Sequence, residues 1–134
     1  VRNWYGRWED RGQGMPISSL SFKEGEVKAI CGAFMFCRVV ALKPELPELF
    51  DESFFMYKED IELSLRLHKR GWQLYYSPDI EVIHCRGWNR NRKKMTKDTR
   101  LLSSKNEVRL YLKHPSGYMV WALMKYFLVR FFNL

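Results

Sequence analysis

From Glu59 to Arg70 the sequence EDIELSLRLHKR reads as one helix with both ends marked, and no other segment limits the fold of this chain as much. Ile61, Leu65 and His68 fall on one helical stripe and Leu63 and Leu67 on another, flanked by Glu62, Arg66 and Lys69, so the helix is expected to be amphipathic and mostly buried. Acids occupy its first turn and bases its last, which suits the helix dipole. Gly71 just beyond suits a left-handed C-terminal cap. The pair Glu59 and Asp60 therefore reads first as helix-start acids, worth roughly 0.3–1 kcal/mol against the dipole. A second reading is chemical. A carboxylate kept ionised by helix N–H groups beside a cleft accepts a proton from an attacking hydroxyl.

On either side the pattern changes. VKAICGAFMFCRVV, residues 27–40, is a continuous apolar run, which predicts a buried strand with Gly32 at a bulge or a close backbone approach. Pro44 and Pro47 then forbid a long helix. WQLYY and IEVIHC predict two short strands separated by the turn Ser77-Pro78-Asp79, with Ile80, Val82 and His84 on one face. Residues 1–26, punctuated by Gly6, Gly12, Gly14, Pro16 and Gly25, read as loop, and residues 86–98 as a solvated basic loop. Helical spacing returns through Leu101, Leu102, Val108 and Leu112 and stops at His114-Pro115. The last segment, GYMVWALMKYFLVRFFNL, is apolar except for Lys125, Arg130 and Asn133. A span needs about 20 largely uncharged residues, so this segment is expected to lie at an interface or against a partner.

A length of 134 residues suits one domain, and a 46% hydrophobic, 16% aromatic composition excludes a disordered chain. The formal charge of +8 favours anionic partners: phosphates, nucleic acid or an acidic membrane surface. Nucleic acid is set aside, because neither an RNP-like motif nor a zinc finger is present. Cys31, Cys37 and Cys85 are odd in number and lack C-x-x-C spacing, which excludes a disulfide framework and a zinc ribbon. They are expected to be reduced, mostly buried thiols in an intracellular compartment. The N-terminus has no apolar h-region, so no signal peptide is expected, and a start at Val1 suggests a piece of a longer chain. His84 stands at a strand end before the basic loop, a position suited to a ligand, although a lone histidine is more often structural. Arg86, Arg90, Arg92, Lys93, Lys94 and Lys97, with Trp88 among them, suit a diphosphate or anionic lipid head groups, or simply solvent.

In order and spacing, GAFMF, then FDESFF, the E-D pair at a helix start, R-G-W after that helix and a strand ending in histidine resemble the acceptor-side half of a family 2 glycosyltransferase. The rhamnosyltransferase-like bacterial enzymes are the nearest pattern, over about Arg11 to His114. The resemblance implies an α/β fold: a partial GT-A (nucleotide-diphospho-sugar transferase-like) domain, with a short mixed sheet, packed helices and a C-terminal helical segment. Residues 1–114 would be the acceptor-side half and 115–134 an amphipathic apolar helix. It also implies inverting transfer of a sugar from a nucleotide-sugar donor to a glycan or polyprenyl-linked acceptor hydroxyl, in cell-surface polysaccharide or glycolipid synthesis. Asp60 takes the place of the general base, with Glu59 shaping the acceptor site. His84 takes the place of the residue that helps hold a divalent metal, Mg²⁺ or Mn²⁺, with the diphosphate. Gly32, Trp72, Arg86, Trp88 and Arg90 are the expected substrate-binding residues.

One departure is large. These enzymes bind the nucleotide through an N-terminal half carrying a D-x-D motif, and this sequence has none; Asp60-Ile61-Glu62 and Asp79-Ile80-Glu81 are the nearest approximations. The chain alone is expected to be inactive. The competing class is a non-catalytic module that docks anionic lipid or a diphosphate-linked acceptor through its basic loop and apolar tail. Either class is expected at the inner face of the plasma membrane as a peripheral cytoplasmic protein, with self-association through the tail as a further expectation.

Overall fold

A computed structural model describes residues 1–12, 15–83 and 95–132. The described residues form β1 (Gly25–Glu26), α1 (Val39–Leu42), α2 (Glu59–Lys69), β2 (Tyr75–Tyr76), α3 (Lys97–Lys113) and α4 (Met119–Phe127), a mixed α/β set with a two-stranded sheet. Contacts divide the chain into two units, residues 1–50 with 60–83, and residues 51–59 with 84–134.

The first unit is built around α2. Leu63 and Leu67, one turn apart, bury with Ala41 and Leu74, and Val27, Ile30, Met35, Leu42, Leu49 and Trp72 pack around them. The helix ends as its sequence predicts. Gly71 has φ +84°, its N–H donates to His68 O (2.9 Å), and the Trp72 N–H donates to Leu67 O (3.1 Å), the paired bonds of a Schellman cap. A Cβ at Gly71 would meet nothing within 4 Å, so the demand for glycine there is purely conformational. Gly71→Ala is accordingly expected to cost about 1 kcal/mol, read as a lower urea midpoint with an unchanged slope. The buried Glu45 pairs with Arg66 and with Arg70 (2.8 Å) of α2 and its C-terminal turn, while Arg66 also binds Glu62 (2.8 Å) and Leu49 O (2.8 Å). Glu45 sits in a short 3₁₀ turn, Lys43–Glu45, where Pro44 ends α1.

Of the three predicted strands none is formed as expected among the described residues. Residues 27–38 are irregular, Val39–Leu42 is helical, and Phe36 and Val39 are 81% and 70% exposed. A strand buried on both faces needs ladder partners at its edges. The described residues offer only β2, which pairs antiparallel with β1 in the register Gly25↔Tyr76 and Glu26↔Tyr75. Of WQLYY only Tyr75 and Tyr76 are strand, and residues 80–83 of the second expected strand are irregular, with Ile83 fully exposed. The turn between them is at Pro78-Asp79. Within residues 1–9, read as loop, Arg2 bridges Trp8 around a tight turn at Gly6.

In the second unit α3 packs against α4. Thr96 caps α3 by accepting from the Thr99 N–H (3.2 Å). Its buried face is not the leucine stripe of the sequence. Ser104, Asn106 and Glu107 are buried with Leu110 and Tyr111, whereas Leu112 is exposed. The reason is that each polar group has a partner: Glu107 pairs with Lys125 of α4, and Asn106 meets backbone carbonyls of residues 54–57. After α4 the chain continues in a π-type turn, Leu128–Phe132. Ala122 and Val129 are buried, but Val120, Trp121, Leu123, Met124, Phe127, Phe131 and Phe132 are exposed. No described helix is long and apolar enough to cross a membrane.

Candidate active site

Asp60 is the second residue of α2, where the first helical N–H groups lack intrahelical partners. Its carboxylate takes one of them: Oδ1 accepts from the Ile61 N–H (2.8 Å). Oδ2 accepts from the N–H of Gly32 (2.9 Å), far away in sequence. A Cβ at Gly32 would lie 3.0 Å from Asp60 Cβ, so this is the close backbone approach expected of that glycine. Two charge-assisted bonds to backbone donors fix the carboxylate in place. They leave lone pairs on both oxygens for a further donor, because each carboxylate oxygen can accept twice.

The contact with Gly32 is the first of three. One and two turns along the same face of α2, Ser64 Oγ accepts from the Ile30 N–H (3.2 Å) and His68 Nε2 donates to Val27 O (3.0 Å). Ser64 Oγ also donates to Asp60 O (2.7 Å). Residues 27–32 thus find in a polar stripe of α2 the partners that a strand would find in a ladder. Ser64 and His68 hold the segment that meets Asp60, and sequence reasoning missed them. The available signal was polar residues at 60, 64 and 68, a four-residue spacing that helix geometry places on one face.

The loop before α2 is strained. Phe55 (φ +54°), Tyr57 (φ +72°) and Lys58 (φ +77°) lie in the left-handed region, at about 1–3 kcal/mol each for residues with a side chain. Phe55, with ψ −56°, is the centre of a γ-turn closed by the Met56 N–H to Phe54 O (2.6 Å), the rarer and more strained of the two γ-turn forms. Phe54 is fully buried and Phe55 is 86% exposed. Asn106 Nδ2 lies 2.6, 2.8 and 3.1 Å from the carbonyls of Phe54, Met56 and Tyr57. Arg109 Nη1 donates to Asn106 Oδ1 (3.0 Å) and to Ser53 O.

Of the residues singled out in the sequence, Glu59 is the first residue of α2 and half-buried, and Asp60 and Gly32 meet directly. Trp72 is half-buried, packed against the Leu63–Leu67 cluster at the helix cap. His84, Arg86, Trp88 and Arg90 lie outside the described residues, as does Cys85. Among the described residues no three His, Cys, Asp or Glu side chains gather into a group able to hold a metal. Cys31 is exposed, against the expectation of burial, because among the described residues no strand covers its segment, and burial pushes the Cys37 thiol up.

Comparison with known proteins adds a local likeness. Over 35 residues, 26% of this chain, the sequence is 54% identical to N-acetylglucosaminyl-diphospho-decaprenol L-rhamnosyltransferase of Mycobacterium tuberculosis, covering 11% of that protein. Over 35 residues it is 51% identical to the rhamnosyltransferase WbbL of Escherichia coli, covering 13% of it. The chain contains a rhamnosyltransferase-like region. The matched stretches span about an eighth or less of those relatives' lengths. No family model and no solved structure matches the chain.

Proposed function

We propose that this chain is the acceptor-side part of an inverting, family 2 glycosyltransferase of the GT-A fold that transfers a sugar, in the manner of a rhamnosyltransferase, from a nucleotide-sugar donor to an acceptor hydroxyl. The observation that carries the reading is the Asp60 carboxylate at the start of α2, held by the N–H groups of Gly32 and Ile61, in a chain that contains a rhamnosyltransferase-like stretch. In this reading Asp60 takes the proton of the acceptor hydroxyl as its oxygen attacks the anomeric carbon. The bond from that carbon to the diphosphate breaks, and the nucleoside diphosphate leaves with the electron pair. The donor is bound by residues outside this sequence. A divalent cation, Mg²⁺ or Mn²⁺, is assigned to the neighbourhood of His84, where it would offset the charge of the leaving diphosphate. The name of the Mycobacterium relative describes a polyprenyl-diphosphate-linked acceptor, and an acceptor of that class suits a chain of charge +8. The deciding assay joins this chain to a nucleotide-sugar-binding half and compares Asp60 with Asn at that position.

Such an acceptor would lie in a membrane, and the exposed apolar face of α4 and its π-type turn fits the same surface. Trp121, Met124, Phe127, Phe131 and Phe132, with Arg130 beside them, are a combination suited to lying in the plane of an anionic bilayer. Binding to vesicles containing phosphatidylglycerol is expected to exceed binding to neutral vesicles and to weaken with salt. Replacing the exposed Phe127 and Phe131 by Ser is expected to reduce it about tenfold per side chain. Equal binding by the double variant would show that this face does not touch lipid.

A further inference from the structure

Three residues with side chains in left-handed conformations within four positions need a local cause, and the second unit supplies one in Asn106. Its side chain is fully buried, yet it lies against three backbone carbonyls that converge from Phe54, Met56 and Tyr57. A carboxamide has two hydrogens on nitrogen, so it is shared among the three acceptors and draws them to one point. The orientation follows from the network. The opposite flip would set an oxygen against three oxygens, and Arg109 already donates to Oδ1. No other side chain of this size does the same: a carboxylate brings only acceptors, and leucine leaves the carbonyls unpaired.

We propose that Asn106 is a positioning residue, whose carboxamide fixes the γ-turn at Phe55 and the left-handed step Tyr57-Lys58, the backbone that enters α2 at Glu59. Its structural part stands on the geometry above. Its catalytic part rests on the reading of Asp60 as the base. Asp60 follows Lys58 by two residues along the chain, and a base displaced by about 1 Å can lose 10²-fold in rate.

The test is Asn106→Asp, which keeps the shape and removes the donor. In this chain the Met56 amide is expected to exchange with solvent about tenfold faster, with backbone NMR shifts concentrated in residues 54–61 while α4 amides keep their protection. Should that variant not fold, Arg109→Met leaves the carboxamide in place but removes the group that orients it, and the same residues are expected to shift by less. A folded variant with residues 54–61 unchanged in exchange and shift overturns the proposal. In the joined transferase, Asn106→Asp is expected to lower kcat about 10²-fold with the donor KM unchanged. If Asp60→Asn abolishes transfer while Asn106→Asp leaves kcat intact, the positioning role fails and the base reading stands. If Asn106→Asp shifts the loop but Asp60→Asn transfers normally, the base reading fails and the brace stands.

Discussion

Asp60→Asn is expected to lower sugar transfer by the joined enzyme by about 10²–10⁴-fold, the usual loss when a general base is removed. The amide keeps the size of the acid but cannot take a proton. The geometry adds a second, smaller effect. The carboxylate satisfies two N–H donors, Gly32 at 2.9 Å and Ile61 at 2.8 Å, through different oxygens. Asparagine has one oxygen, so one of those donors must face an NH₂ group, at about 1–2 kcal/mol. The variant is therefore expected to melt slightly earlier and to remain folded at assay temperature. Initial rates with a nucleotide-sugar donor, beside a thermal melt, separate the two effects. Near-normal turnover in a slightly destabilised variant would reduce Asp60 to a helix cap and an anchor for Gly32.

Leu67→Ala is expected to cost about 2–5 kcal/mol, the range for emptying a well-packed leucine site. Leu67 is 2% exposed, shares its cluster with Ala41, Leu63 and Leu74, and packs with Trp72 over the Schellman cap. Little can move in to fill the space. Ala41 is short, and Leu63 is held by the same helix. Against a total stability of about 5–15 kcal/mol for a domain, this is a large fraction, and urea denaturation measures it directly. A loss below about 1 kcal/mol would mean that the cluster collapses around the vacancy.

The parts of the fold that sequence made legible are those governed by local rules. The span of α2 follows from its charged ends and Gly71, and α3 stops where His114-Pro115 says it must. The run at 27–40 misled because apolar, β-branched residues state a preference for burial, while strand formation also needs a partner edge that the described chain does not provide beyond β2. Its backbone groups went to Asp60, Ser64 and His68 instead, and nothing in the hydrophobic pattern marks that exchange. The buried side of α3 was hidden for a related reason. Asn106 and Glu107 look like surface residues until their partners, carbonyls of residues 54–57 and Lys125, are brought to them by the fold. At the candidate site, Asp60 and the close approach at Gly32 were both readable, but that the two meet was not.

That meeting ties two positions together in inheritance. The contact at Gly32 is with the Cβ of residue 60, an atom that every amino acid but glycine carries. A side chain at 32 therefore presses on the Cβ of any residue 60 but glycine, and stretches the bond to the carboxylate when residue 60 is aspartate. A lineage that keeps the acid is held to glycine 28 residues upstream. One that loses the acid gains no freedom at 32 unless α2 also draws back. The record of mutation at these two sites should then be lopsided, with aspartate free to vanish first and glycine only afterwards.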